Sequence, residues 1–486
     1  MTARHSALVP ALPGVLVALI GILDAPSALA DPGPVTIRLE EAYQRAEARS
    51  PEVRILAVRV EEAEVQVKKA WAILKPQWTA SYTFTHLEPG PPAITFPEPL
   101  NFNTPAIRDN CVQGANSQML DGCLAGLVDE LNRVANAPPR QLDFARQNTH
   151  QFSTRVVWNP LNGSAIPILK NANANVEREA QQRSARIAEL RLVVARTYYA
   201  ALATQEALHA AERAEARAAE ELALTQAREE LGDRPPLLAE GIRIAATQAR
   251  IDTRRAKNAH AQALLALALV TFSDDRPDVV WPDALPERPP GSGEALLTRA
   301  RRRPDVAAAL TTVQIAERAE SEVWWRFVPT VGVFGGYRLS NVPGITGQRD
   351  QWSVGLAATV TLYDGGLRYA DLDLARKRRE SAQLALEAIR LRAAADVERA
   401  ELDLEAADLA FDRAEQAVRL ARQNLELSRA RFEVGALRPA ELQAANDGVL
   451  DAEIAVARAR AERALAILGM RHAVGLDASG VGEDVE

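Results

Sequence analysis

Two charged residues at a sharp chain turn are the first candidates for chemistry. Arg438 and Glu441 flank Pro439, shortly after Gly435, where two long helical patterns meet. A carboxylate at such a turn attracts cations, and a guanidinium beside it can pair with the carboxylate. The alternative is that Glu441 is a first-turn helix residue favoured by the helix dipole. The candidate residues at this turn and at its counterpart earlier in the chain are Gly232, Asp233, Arg234, Gly435, Arg438 and Glu441.

The sequence offers little for catalysis or metal binding. Its six histidines are scattered, with no pair at the helical spacing of metal ligands. It also contains no nucleophile elbow and no phosphate-binding loop. We therefore expect no catalytic residue, no cofactor and no metal site, and we predict that the protein is not an enzyme. The formal net charge of −7 argues against nucleic acid as a partner.

Residues 1–30 have the pattern of a secretory signal peptide. A basic start precedes an apolar run over 8–23, and the small residues Ala28 and Ala30 form a cleavage site. No later segment has the ~18 uninterrupted apolar residues of a membrane-spanning helix. An exported chain of this kind is either soluble or crosses a membrane as strands.

The chain is a tandem duplication of one unit. Residues 49–53 return as 302–306 at a shift of 253 positions, whereas later matches, such as Gly163 with Gly365, are shifted by 202. The first copy therefore carries 51 extra residues. We predict a first repeat over 31–271, a linker over 272–293, a second repeat over 294–470 and a tail over 471–486.

The extra residues contain the only two cysteines of the chain. Cys111 and Cys123 are expected to pair in an oxidising compartment, as a local staple. The surrounding segment is rich in Pro and Gly and lacks an obvious apolar period. We therefore predict a long loop over 88–148 rather than a buried element.

Four segments alternate apolar and polar residues, which indicates strands with one apolar face. The clearest runs from Trp352 to Leu362, and a length of about ten residues fits a tilted transmembrane strand. A half-buried sheet on a soluble core is the alternative, but the rest of the chain offers only coiled-coil helices to cover it. The predicted strands are 77–87, 149–159, 329–340 and 351–362.

A long helical pattern follows the second strand of each copy. From Ala393 onward, large residues such as Val397 and Leu404 recur every seven positions beside alanines, as in a coiled-coil seam. A Gly-bearing junction joins strand to helix in both copies. The predicted helices are 164–231, 236–270, 366–434 and 439–468, and the junction residues are Asn162, Gly163, Asp364, Gly365 and Gly366.

These features resemble the TolC family of outer-membrane efflux proteins over essentially the whole mature chain. Their order, duplicated at consistent offsets behind a signal peptide, makes the resemblance specific. The motifs that carry it are Leu39-Glu40-Glu41-Ala42, Ser50-Pro51-Glu52-Val53, Pro76, Pro329, Tyr363-Asp364-Gly365-Gly366, Arg431-Phe432-Glu433-Val434-Gly435 and Glu441-Leu442.

The resemblance implies a mainly α protein with β structure that forms a homotrimer. Three chains with four strands each would make a twelve-stranded barrel in the outer membrane of a Gram-negative bacterium, continuous with an α-helical periplasmic barrel. Geometry agrees, because four strands cannot close alone and the lumen of an eight-stranded barrel is filled by side chains. The extra segment would then lie outside the cell.

The implied function is that of an exit duct in a tripartite efflux or type I secretion system. Such a duct is a passive conduit, driven by an inner-membrane pump that docks through a periplasmic adaptor. The implied partners are further copies of the chain, the adaptor, the pump and outer-membrane lipid. A periplasmic coiled-coil scaffold without a pore is the alternative.

The same resemblance makes the Arg438/Glu441 turn the periplasmic tip. In a trimer, three Glu441 carboxylates would ring the entrance, and three Arg438 side chains could hold it shut. Many relatives carry a second acidic residue three positions later. This chain has Ala444 there, which departs from the family pattern.

Overall fold

The protein is represented by a computed structural model that describes residues 36–88, 94–96, 98–112, 117–138, 140–142, 146–230, 236–282, 286–343 and 347–476. The predicted signal peptide, 1–30, lies outside the described residues. The helices are α1 (Leu39–Arg49), α2 (Pro51–Ala72), α3 (Pro105–Val112), α4 (Ser117–Asn136), α5 (Ala165–Glu230), α6 (Pro236–Val270), α7 (Glu294–Ala300), α8 (Pro304–Trp325), α9 (Leu367–Glu433) and α10 (Pro439–Ala473). The strands are β1 (Thr36–Ile37), β2 (Gln77–His86), β3 (Ile94–Phe96), β4 (Arg140–Leu142), β5 (Asn148–Leu161), β6 (Asp278–Val279), β7 (Thr330–Ser340) and β8 (Asp350–Thr359).

Two very long helices dominate the chain. α5 has 66 residues and α9 has 67, so each is roughly 100 Å long at 1.5 Å per residue. The helices that follow them, α6 and α10, have 35 residues each. Among the described residues, no helix combines the length and the apolar character that a membrane span requires.

The chain divides into two compact units, and each takes residues from both predicted repeats because α5 and α9 contribute to both. The helical unit comprises the described parts of Met1–Arg45, Val194–Leu285 and Arg413–Ala461, and the sheet unit comprises those of Ala46–Val193, Pro286–Asp412 and Glu462–Glu486.

The sheet unit contains one four-stranded antiparallel sheet with the strand order β2-β5-β7-β8. Tyr82 pairs with Phe152, and Phe152 pairs with Leu339, so apolar residues stand opposite apolar residues across the strands. This register makes one face of the sheet apolar from edge to edge. Its most exposed members are Trp78, Tyr82, Phe84, Trp352, Val354 and Leu356.

The opposite face is mainly polar, with one aromatic exception. A Cβ atom on Gly355 would overlap the Phe334 ring, so the glycine makes room for that ring. The Arg155 guanidinium lies 6.0 Å from the centroid of the same ring. The polar residues of this face include Thr79, Ser81, Thr83, Ser153 and Ser353.

The last strand is shorter than predicted. β8 ends at Thr359, three residues before the predicted end at 362. Leu362 instead belongs to the turn into α9, where its carbonyl accepts a hydrogen bond from the Arg368 guanidinium at 3.4 Å. At the other end of the second repeat, α10 continues to Ala473, beyond the predicted end at 468.

The α9 helix has one buried and one exposed set of apolar residues. Val397, Leu404, Leu425 and Phe432, at the predicted large-residue positions, are all less than 9 % exposed. The second set lies off the seam and is 62 to 68 % exposed: Leu402, Leu409, Leu420 and Leu427.

The predicted linker, 272–293, contains structure that the sequence patterns did not reveal. Within the helical unit, β6 pairs in parallel with β1. The Tyr198 hydroxyl lies 2.6 Å from the Val280 carbonyl oxygen and 3.0 Å from that of Ile37. Burial raises the pKa of Tyr198, so the hydroxyl stays protonated and can donate. One buried side chain thus connects the two short strands to α5.

The predicted long loop over 88–148 contains regular secondary structure. The segment, called the insertion below, contains the helices α3 and α4 and the short antiparallel pair of β3 and β4. A disulfide joins Cys111 to Cys123, with the Cα atoms 5.0 Å apart. The apolar period that identifies α4 is confined to a single helix between Pro- and Gly-rich flanks, which hides it in a scan of the whole segment.

A buried carboxylate connects one side of α4, its inner side, to residues earlier in the insertion. Glu130 is 4 % exposed, and it accepts hydrogen bonds from the Asn101 backbone amide at 2.6 Å and from the Arg133 guanidinium at 2.6 and 2.8 Å. Arg133 also pairs with Glu98 at 3.1 Å. Hydrogen bonds from Arg133 and from Asn101 lower the pKa of Glu130 from 4.5 to about 2.

This lowered pKa predicts how the insertion responds to acid. A carboxyl group with a depressed folded-state pKa stabilises the fold above pH 4.5 and loses that effect as the pH falls towards about 2. The Asn101 amide should therefore lose its protection from hydrogen–deuterium exchange in this window, after exposure times are scaled for intrinsic exchange. Glu130→Gln should show no such transition, and a wild-type transition outside this window would contradict the assignment.

Candidate functional site

The turn between α9 and α10, in the helical unit, depends on one glycine. Gly435 has a φ of +76°, in the left-handed region that favours glycine. Its amide donates to the Phe432 carbonyl at 3.0 Å, and the Ala436 amide donates to the Arg431 carbonyl at 2.8 Å. These two bonds form a Schellman motif, which ends α9 and reverses the chain.

The predicted site residues Arg438 and Glu441 meet at the start of α10. Arg438 precedes Pro439, the first residue of the helix, and its backbone amide donates to the Glu441 carboxylate at 3.2 Å. This is half of a capping box, in which a glutamate three positions into the helix reaches back to the capping residue. Both side chains are exposed, so the carboxylate keeps a solvent-facing charge while it stabilises the helix start.

The turn between α5 and α6 is the equivalent turn of the first repeat. Its predicted residues Gly232, Asp233 and Arg234 lie outside the described residues.

A polar cluster that sequence reasoning missed lies beside the described turn. Asn446 on α10 is 8 % exposed, and its side-chain amide donates to the Glu221 carboxylate of α5 at 3.2 and 3.3 Å. Arg429 of α9 also pairs with Glu221, at 3.5 Å. Side chains from three helices therefore meet at one carboxylate.

A second cluster repeats this arrangement. The Glu453 carboxylate of α10 pairs with Arg213 of α5 and Arg422 of α9, both at 2.9 Å. Burial alone would raise the pKa of Glu453, but the hydrogen bonds from Arg422 and Arg213 outweigh it and lower the pKa. Arg422 precedes Arg429 by seven residues, and Asn446 precedes Glu453 by seven. This heptad spacing is a local sign of the clusters, but it does not identify the helices that meet there.

The second strand–helix junction, in the sheet unit, is an ion pair within a glycine turn. Gly365 and Gly366 have φ values of +69° and +89°, which favour glycine. The Asp364 carboxylate accepts a hydrogen bond from the Gly366 amide at 3.2 Å and forms an ion pair with the Arg368 guanidinium at 2.7 Å. That guanidinium also lies 4.8 Å from the Phe327 ring centroid. The junction thus fixes where α9 begins.

The first junction uses different contacts at matching positions. The Asn162 side-chain oxygen accepts hydrogen bonds from the Ser164 amide at 3.2 Å and from its hydroxyl at 2.7 Å. A Cβ atom on Gly163 would overlap the Trp325 indole. Gly163 is therefore needed for the close approach of that ring, whereas Gly365 and Gly366 are needed for their backbone conformation.

The second half of the chain matches a known protein family. Residues 297–476, which contain the α9–α10 turn and the second junction, match the family model described as outer membrane efflux protein. This part of the chain is similar to the outer membrane efflux protein family. The match confirms the predicted resemblance, and the protein is an outer-membrane protein.

Individual relatives agree with this family. Over 149 residues the chain is 30 % identical to outer membrane protein OprJ of Pseudomonas aeruginosa, and the alignment covers 29 % of this chain and 30 % of OprJ. The chain therefore spans less than a third of the length of that relative.

Solved structures establish the fold over a larger share of the chain. The Campylobacter jejuni CmeC outer membrane channel is 16 % identical with a TM-score of 0.68, and the match covers 92 % of this chain and 87 % of CmeC. The open state of the Neisseria gonorrhoeae MtrE outer membrane channel is 19 % identical with a TM-score of 0.67, covering 92 % of this chain and 90 % of MtrE. This mainly helical architecture with a four-stranded sheet is thus the fold of these outer-membrane channels.

Proposed function

We propose that the protein is the outer-membrane exit duct of a tripartite efflux system. Three copies form a twelve-stranded barrel in the membrane and a helical barrel in the periplasm. The duct is passive, because an inner-membrane pump that docks through a periplasmic adaptor supplies the energy. A type I secretion system is a second setting for the same duct, and the chain needs no catalytic residue in either.

The observation that carries this proposal is the apolar face of the four-stranded sheet. Trp352 and Leu356 on β8 and Trp78 on β2 are each 77 % exposed, although they belong to one continuous apolar surface. In the described chain, β2 and β8 each pair on one side only. Closure with further copies would pair both edges and turn the apolar face towards lipid. A periplasmic scaffold without a pore would leave this face in water.

Two measurements test the proposed duct. The mass of the detergent-solubilised protein should equal three mature chains, and the same preparation should form ion-conducting channels in planar bilayers. A monomer, or a trimer without channel activity, would favour the scaffold.

The periplasmic entrance is proposed to form at the α9–α10 turn, with one Glu441 from each chain. Glu441→Gln removes the charge but keeps an oxygen that can accept the hydrogen bond from the Arg438 amide. Glu441→Ala removes both the charge and the hydrogen-bond acceptor. If the carboxylates ring the entrance, both variants should weaken block by divalent cations by about tenfold, because three charges converge there. Arg438→Ala should raise the open-channel conductance. Single-channel recording measures both effects.

Glu387→Gln is the matched control for the loss of charge. Glu387 is also exposed, but it belongs to the sheet unit, and its replacement should leave divalent block unchanged. If Glu441→Ala alters block and Glu441→Gln does not, Glu441 acts only through the helix cap.

A further inference from the structure

The outer face of α4 is apolar, and the part of the chain that the structure describes leaves it uncovered. Leu120, Leu124, Val128 and Leu131 are 52 to 66 % exposed. All four lie on one side of a helix in a segment that connects two strands of the sheet. A concentration of large apolar side chains on a surface helix marks a contact surface.

The spacing of these residues indicates another helix as the partner. The four exposed residues are spaced by four, four and three positions. Together with the half-buried Leu127 and Val134, the apolar residues at 120, 124, 127, 131 and 134 alternate intervals of four and three, which is the heptad spacing of helices packed against helices. A helix that binds a lipid surface would instead carry several basic residues beside its apolar face. Arg133 is the only basic residue of α4, and it is held by Glu130 and Glu98. The residues of the seam are Leu120, Leu124, Leu127, Leu131 and Val134.

Contacts within the insertion hold the seam facing outward. Cys123, Glu130 and Arg133 each directly precede a seam residue, so they point about 100° away from the seam. The disulfide to Cys111 and the bonds around Glu130 anchor that inner side. The disulfide and these hydrogen bonds thus fix the orientation of the helix that carries the seam.

We propose that α4 packs against the α4 helices of two further copies of this chain, in a three-helix coiled coil over the outer mouth of the barrel. This inference rests on the proposed homotrimer. The insertion leaves the sheet from β2, an edge strand of the described sheet, so in a closed barrel it adjoins the next copy. Equivalent helices that pack symmetrically in a trimer surround the threefold axis, which is also the channel axis. The coiled coil therefore covers the exit.

The connection to the barrel wall is long enough for this arrangement. A twelve-stranded barrel with strands about 4.8 Å apart and tilted by about 40° has a radius of roughly 12 Å. Within the insertion β4 pairs with β3, and the five residues 143–147 that join β4 to β5 have a chain length of about 17 Å, which exceeds this radius. Two heptads are too short for a stable free coiled coil. The barrel supplies the missing affinity, because it holds the three helices at an effective concentration of the order of millimolar.

Cross-linking of a single introduced thiol tests the proposal. Leu124→Cys places one thiol of each chain in the seam, and a short bismaleimide reacts with free thiols while the Cys111–Cys123 disulfide stays intact. One link can join only two of three equivalent chains, so up to about two thirds of the protein should run as a covalent dimer.

Asp129→Cys is the matched control, because Asp129 is exposed on the side of α4 opposite the seam. It should react equally with a monomaleimide but should not cross-link. A trimeric mass with no link through Leu124→Cys, or equal links through both positions, would overturn the coiled coil and leave the proposed duct standing. A monomeric mass would overturn the duct itself.

Access to the lumen from outside the cell gives an independent readout. In an Ala357→Cys background, Leu124→Asp with Leu131→Asp should break the seam and raise the labelling rate by an impermeant thiol reagent by about tenfold, since the cover then opens. Ala125→Asp with Asn132→Asp adds the same charges off the seam and should leave the rate unchanged. Equal rates in both double variants would contradict a cover over the exit.

Discussion

Replacing Leu356 with arginine should destabilise the assembled protein by about 2–4 kcal/mol per chain. Leu356 is 77 % exposed and pairs with Val333 on the apolar face of the sheet. In the proposed barrel this face contacts hydrocarbon, where a guanidinium loses its hydration and finds no partner. The urea dependence of folding into phospholipid vesicles measures the change in the free energy of unfolding.

Ala357→Arg provides the control at the next residue. Ala357 pairs with Gly332, and its side chain belongs to the mainly polar face. There the guanidinium would remain in water, so the cost should stay below about 1 kcal/mol. Equal destabilisation by the two arginines would mean that both faces have the same environment, and the barrel would be contradicted.

Replacing Cys111 and Cys123 together with serine should destabilise the insertion by about 3 kcal/mol. The disulfide closes a loop with a sequence separation of 12, and a loop of this size restricts the unfolded chain by about that amount. The locally open state should become roughly a hundredfold more populated. Cleavage within the insertion by a protease added to intact cells should accelerate by a similar factor.

Two comparisons make this experiment decisive. Alanine replacements at the same two positions should have the same effect as serine, because the lost cross-link and not the new side chain is responsible. The trimer should stay assembled in both variants. Cleavage that requires permeabilisation of the outer membrane would contradict the extracellular position of the insertion, and unchanged cleavage rates would show that the disulfide does not hold it closed.

Local periodicity made much of the fold predictable. Strand alternation located β2, β5, β7 and β8 to within a few residues, because each strand has one apolar face and the period of two is visible within ten residues. The long helices were predictable because their apolar residues recur every seven positions. The family match confirmed the resemblance and the location in the outer membrane. The oligomeric state, the partners and the gate stay predictions.

Contacts between distant parts of the chain were not predictable. The pairing of β1 with β6 involves two residues in each strand, too few to show a period. The clusters around Glu221 and Glu453 join three helices, and their charged residues look like ordinary surface residues in the sequence. The α4 helix was missed because its apolar period covers one short helix between Pro- and Gly-rich flanks.

Direct comparison of the two halves is enough to find the duplicated unit. Local patterns are enough to find the strands, the long helices and the turns, because these depend on neighbours within a few positions. The contacts that those residues make are visible only in the folded chain. In the folded chain the Glu441 carboxylate accepts a hydrogen bond from the Arg438 backbone amide. Asp364 forms an ion pair with Arg368, whereas Asn162 at the first junction accepts hydrogen bonds from Ser164. Four strands that are separate in the sequence align to form one apolar face. Register and side-chain contacts depend on how segments far apart in the chain come together, which a local pattern does not record.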